Sequence, residues 1–198
     1  MKILVITPCS ARQNKKPMPA SELYRGTEHQ KIEAGLEEVR AHRQYGGTTI
    51  KWYIISTKHG LIKEDKKLAP YNVPNSKSPI LKDGKKLNED ISQLIKEYDL
   101  VFFLLGQEYV KALQLPFGVP ETVAQIFITY KRTKGYSHLI PKNLPNCNVV
   151  ELNSNDFMSG YTAKGYVFEK LCEAACRDGF EVFEKVKDNP QLILDIVQ

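Results

Sequence analysis

The chain is expected to fold as an α/β protein: a three-layer α/β/α sandwich around a central, mostly parallel sheet of four to five strands. Three observations lead there. Short apolar runs at 2–7, 48–56 and 100–105 alternate with helical stripes, and that alternation builds right-handed βαβ crossovers. The first run, 2–7, is continuous, as in a strand buried on both faces. Each run also ends in a polar corner: Pro8-Cys9-Ser10-Ala11-Arg12, Thr57-Lys58-His59-Gly60-Leu61 and Gly106-Gln107-Glu108-Tyr109.

The elements follow in order. Residues 2–7 (KILVIT) form strand one, and 8–20, with Pro8, Pro17 and Pro19, a loop. Thr27-x-x-Gln30 predicts a capping box. The helix it opens carries Ile32, Leu36 and Val39 on one face and stops at Gly46-Gly47. Thr48 to Ser56 is strand two, rich in β-branched and aromatic residues. Residues 57–82 hold Pro70, Pro74 and Pro79 and predict a long excursion; long loops in compact domains are usually functional. Leu87, Ile91, Leu94 and Ile95 make a helical stripe before strand three at 100–105. Glu108 to Leu115 is a short helix stopped by Pro116. Val123 to Thr129 and Asn148 to Leu152 are strands four and five. A helix from Thr162 to about Lys187 and a short one after Pro190 close the chain. With no internal repeat, the 198 residues read as a single α/β domain.

Composition narrows the function classes. Hydrophobic residues at 42% and charged ones at 26% fit a soluble globular protein. The apolar runs are strand-sized, too short to span a bilayer. The five residues between Lys2 and Pro8 are too few for a secretory core. Cys9, Cys147, Cys172 and Cys176 show no CxxC spacing, which predicts a reducing cytoplasm and neither metal nor cofactor. The net charge of +5 is unevenly spread. Lys58 to Lys86 has eight lysines against three acids. Tyr130 to Lys142 adds Lys131, Arg132, Lys134 and Lys142 with no acid, and Arg12, Lys15 and Lys16 form a third basic group. The rest of the chain is therefore net acidic. A basic rim around a cleft is the electrostatic footprint expected for a polyanion, here DNA.

The corners carry the candidate chemistry, because parallel sheets bind ligands outside the carboxyl ends of their strands. Lys58 and His59 could stabilise developing negative charge or shuttle a proton. Glu108, after Gly106 and Gln107, supplies a carboxylate at a helix start, with Tyr109 beside it. Cys9 and Ser10 suit ligand positioning, or a thiol nucleophile. Tyr24, Tyr71, Tyr130, Tyr136, Tyr161 and Tyr166 sit among the basic loops. Tyr71 is the foremost candidate to stack on a base, with Asn72 reading its edge. Ser159 to Thr162 would suit a sugar or phosphate contact.

Taken together, PCSARQ, SELYRG, STKHGLI, PYN and LLGQEYV resemble a family of uncharacterised bacterial and phage proteins, over roughly residues 3–113. This chain carries Asn72 where that pattern more often has an acid. Topology and polar strand ends are also similar to the uracil-DNA-glycosylase-like superfamily, which includes glycosylases acting against phages. GQEYV resembles that superfamily's Gly-Gln-Asp-Pro-Tyr corner, without the proline and on the third strand. The resemblance implies a DNA N-glycosylase that flips out a modified base, with Glu108 in the acidic role and Lys58 or His59 assisting the departing base. Two alternatives stay open: a nucleic-acid or nucleotide-binding module without turnover, and an enzyme acting on a free nucleotide or deazaguanine base.

Overall fold

Ile3 to Thr7 are wholly shielded from solvent, and a strand buried on both faces belongs in the middle of a sheet. The computed structural model, which describes residues 1–42, 47–131, 136–141, 144, 146–153 and 163–197, places them there. In chain order the elements begin with β1 (Lys2–Pro8), β2 (Met18–Pro19), α1 (Ala20–Leu23) and α2 (Thr27–Ala41). Then come β3 (Thr49–Ser56), β4 (Gly60–Lys63), β5 (Lys67–Leu68), α3 (Pro79–Lys82) and α4 (Gly84–Ile95). They continue with β6 (Leu100–Phe103), α5 (Gln107–Ala112), β7 (Ala124–Lys131) and β8 (Cys147–Asn153). Three helices end the chain: α6 (Ala163–Asp178), α7 (Glu181–Asp188) and α8 (Leu192–Ile196).

The main sheet has six strands in the order β4-β3-β1-β6-β7-β8. All neighbours are parallel except β4, which pairs antiparallel with β3. The protein is thus the expected α/β sandwich, with five parallel strands and one hairpin strand that the sequence reading passed over. Alternation along the strands splits the core in two. Ile3, Val5 and Phe102 face a cluster with Leu36, Val167 and Phe168 of α2 and α6. Leu4, Ile6 and Phe103 face Leu87, Ile91 and Val110 of α4 and α5.

Some local expectations change. The capping box does not form: Gly26 is the N-cap of α2, without a side-chain cap bond, and Thr27 is already the first helical residue. That helix ends at Ala41, before Gly46, which lies outside the described residues. The long C-terminal helix breaks at Gly179 into α6 and α7. Segment 57–82, expected as a long excursion, holds β4, β5, a 3₁₀ turn and α3. Among the described residues no helix is long and apolar enough to cross a membrane.

Candidate functional site

The site follows from the topology. After β1 the chain crosses to α2 on one face of the sheet; after β6 it turns into α5 on the other. Adjacent strands whose connections diverge leave a gap between them, the switch point where open α/β sheets bind ligands. A crevice of about 740 Å³ opens there, within the size range of small-molecule sites. Cys9 and Ser10 line it from the β1 exit, and Gly106, Gln107 and Glu108 from the β6 exit.

Its floor comes from α2 and α6. His29 is 3% exposed, its ring 4.4 Å from Trp52 and edge-on to Tyr24 at 5.4 Å. Burial pushes its pKa down to about 3, so the imidazole is neutral at ordinary pH. Its Nε2 is buried without a hydrogen-bond partner. Next to it Lys164 Nζ meets Glu28 Oε2 at 2.9 Å, with side chains only 8% and 15% exposed. Burial raises the Glu28 carboxyl above its usual range, and Lys164 pulls it back. Glu108 differs: its side chain is 62% exposed and meets Lys111 at 3.5 Å.

Behind Cys9 lies a web of hydroxyls. The Cys9 thiol is 3.8 Å from Thr57 Oγ1 and 3.5 Å from the Tyr109 hydroxyl. Tyr109 also donates to Asn75 Oδ1 at 3.4 Å. Ser56 Oγ accepts from the amides of Lys58 at 3.2 Å and His59 at 2.9 Å, which occupies both its lone pairs. Its proton therefore goes to the Tyr71 hydroxyl at 2.7 Å. The Tyr71 hydroxyl also shares a hydrogen bond with the Tyr24 hydroxyl, again at 2.7 Å. Burial pushes the Tyr24 pKa up to about 12 and raises those of Tyr71 and Tyr109 as well.

Residues 3–128 match a family described as a family of unknown function, DUF6884. The chain belongs to that family. No curated protein matches. Among solved structures, the crystal structure of Smu.1420 from Streptococcus mutans UA159 is similar at 12% identity and a TM-score of 0.42, covering 89% of this chain and 100% of that one. The matched family span contains all three polar corners, α2 and the 57–82 segment.

Two of the three corners share the crevice and the third does not. Lys58 and His59 sit in the β3–β4 hairpin, where Ser56 pairs with Gly60 and Gly60 takes φ +74°. A left-handed residue after a tight turn suits glycine. Lys58 Nζ lies 5.8 Å over the Tyr71 ring and His59 packs edge-on to it at 5.3 Å. Neither residue lines the crevice. Burial, with Lys58 and Lys66 nearby, lowers the His59 pKa. Thr57 does reach the site, lining a smaller annex of about 120 Å³ with Tyr71 and Asn72. Arg12, Lys15 and Lys16 are exposed and outside the crevice wall. The side chain of Lys131, and Arg132 and Lys134, lie outside the described residues, as do Ser159 to Thr162. Tyr136 has a structural role, donating to the Leu105 carbonyl at 2.6 Å.

Glu28, His29 and Lys164 were not anticipated from the sequence. A signal existed: His29 precedes Ile32 and Leu36 at helical spacing, and Lys164 precedes Val167, Phe168 and Leu171. Each is a polar residue on a buried stripe.

Proposed function

We propose that this protein hydrolyses the N-glycosidic bond of a modified nucleobase in DNA, with the base flipped into the crevice between β1 and β6. The observation that carries the reading is one crevice lined by both an accessible carboxylate, Glu108, and a nearly buried ammonium, Lys164. Glycosidic cleavage develops positive charge on the sugar and negative charge on the departing base. A carboxylate suits the first, and the Lys164 ammonium, held in place by Glu28 at 2.9 Å, has donors to offer the second. Lys58 and His59 stand outside the crevice, so Lys164 takes the role first expected of them. His29, held neutral, offers a hydrogen bond without adding charge. Extruding a base costs a few kcal/mol, offset by contacts in the pocket. Arg12, Lys15 and Lys16 would hold phosphates beyond the crevice, so binding should weaken steeply with salt.

The test is to incubate the protein with oligonucleotides carrying uracil, 5-hydroxymethyluracil or 5-hydroxymethylcytosine and to score abasic sites by alkaline cleavage. Glu108→Gln should lower the rate by about 10²–10³-fold with DNA binding retained. Abasic sites absent from all three substrates, with the protein folded, would count against the reading. One observation favours a free nucleotide instead: none of the three N-terminal cations lines the crevice. The same assay on the matching deoxynucleosides, read as released base, separates the two.

A further inference from the structure

The end of α2 that meets the crevice has no cap. Gly26, Thr27, Glu28 and His29 all border the crevice, and they are the N-cap and first turn of a 15-residue helix. The amides of Thr27, Glu28 and His29 make no hydrogen bond among the described residues; the first helical bond runs from the Gln30 amide to the Gly26 carbonyl. Such orphan donors are usually met by a Ser, Thr, Asp or Asn cap. Gly26 supplies none, although its φ of −67° and ψ of 145° are open to any residue. Space, not backbone conformation, calls for glycine there. A Cβ on Gly26 would stand 2.6 Å from Ser10 Oγ. The missing side chain lets the β1 exit close on the helix end and sets the Ser10 hydroxyl beside it.

The groups left free here are mainly donors. Ser10 Oγ accepts from the Arg12 amide at 3.2 Å and has its own proton to give. His29, 3% exposed, forms part of the crevice wall, and its Nε2 is buried without a partner. The neutral ring carries one proton, and an acceptor in the crevice would settle that proton on Nε2. The one acid in the turn, Glu28, is already engaged with Lys164 at 2.9 Å. The helix dipole adds partial positive charge at the same end. Donors from a helix end, a loop and a ring converge from several directions. A tetrahedral oxyanion can accept from all of them at once.

We propose that the first turn of α2, with Ser10 and His29, is a phosphate subsite of the crevice. Assigning it to the extruded nucleotide's own phosphate rests on the glycosylase reading. Lys164, set off from the amides by the length of the Glu28 side chain, stays with the departing base. The crevice then holds a phosphate without Arg12, Lys15 or Lys16, none of which lines it.

Calorimetric titration tests this without requiring turnover. The probes are inorganic phosphate, 2-deoxyribose 5-phosphate and uncharged 2-deoxyribose. The sugar phosphate should bind, inorganic phosphate should compete with it, and deoxyribose should bind at least about tenfold more weakly. Thr27→Asp places a carboxylate on an exposed first helical residue, where acids favour the helix, and should weaken both phosphate probes by about tenfold or more. Thr27→Asn, similar in size but uncharged, should stay within about threefold of wild type, as should Lys15→Ala and Lys16→Ala. Ser10→Ala removes one donor and should cost about threefold to tenfold; it serves as the second variant should Thr27→Asp misfold. The proposal is overturned if neither phosphate binds, if Thr27→Asp binds as tightly as Thr27→Asn, if Ser10→Ala binds like wild type, or if Lys15→Ala or Lys16→Ala loses as much as Thr27→Asp. A protein that yields no abasic sites yet shows the Thr27-dependent preference would defeat the glycosylase reading and leave this one standing. Abasic sites formed by Thr27→Asp at the wild-type rate on sub-saturating DNA would do the reverse.

Discussion

After β1 the chain crosses the sheet to reach α2; after β3 it doubles straight back as β4. The two exits lie side by side, yet they leave very different surroundings. In the hairpin the local polar groups are largely consumed: Ser56 Oγ holds two amides and a tyrosine hydroxyl, and Thr57 the Val73 carbonyl. At the crossover, the crevice beside β1 contains an ion pair stripped of most of its water and an imidazole nitrogen with no partner. Satisfied polar groups describe a structural corner, whereas costly, incompletely paired ones concentrate at functional sites. The difference arises from connectivity. A crossover leaves space over the strand ends, and a hairpin fills it.

That contrast can be broken by experiment, and two effects of about 3 kcal/mol or more should come from the crevice side, the first of them with pH. His29 has a folded-state pKa of about 3 against an ordinary 6.5, so between these values the unfolded chain holds a proton that the folded one lacks. Stability should therefore fall as pH drops from 6.5, by roughly 3 kcal/mol between pH 7 and pH 4. Glu28 acts in the opposite sense, because its raised carboxyl pKa lets the folded state take a proton first. Urea melts of wild type and His29→Phe at both pH values isolate the histidine; identical pH slopes would refute the assignment. Lys164→Met comes next, leaving Glu28 buried and unpaired at a cost of about 3–5 kcal/mol at pH 7. A midpoint shift worth less than 1 kcal/mol would mean the pair is better hydrated than its exposure indicates. On the hairpin side, Tyr71→Phe removes the acceptor of the Ser56 proton and should cost about 1–3 kcal/mol. Lys58→Ala and His59→Ala should each stay within about 0.5 kcal/mol of wild type and keep full activity on any substrate found. A large activity loss in either would restore the hairpin to the site.

The architecture was legible because β1 and β6 are continuous apolar runs, as burial on both faces requires, and because β3, although Thr49 and Lys51 are exposed, is rich in β-branched and aromatic residues. The short β4 was not, since Gly60-Leu61-Ile62-Lys63 has no periodicity to separate it from a loop. Cys9, Ser10 and the Gly106–Tyr109 corner line one crevice, because parallel strands deliver their exits to one edge. Lys58 and His59 were misplaced for the same reason: nothing in STKHG distinguishes a crossover from a hairpin until the pairing of Ser56 with Gly60 is known. Glu28 and Lys164 are 136 positions apart in the sequence and 2.9 Å apart in space, and that distance is set only by how α2 packs on α6.

The packing of α2 on α6 has a consequence of its own. A Cβ placed on Gly165 would stand 2.5 Å from the Glu28 carbonyl oxygen, so even alanine there would wedge the helices apart. The first turn of α2 would tilt outward, carrying its carboxylate and imidazole with it. The depth of the cleft is thus governed by a bare hydrogen atom on a helix that contributes a single lysine to its wall.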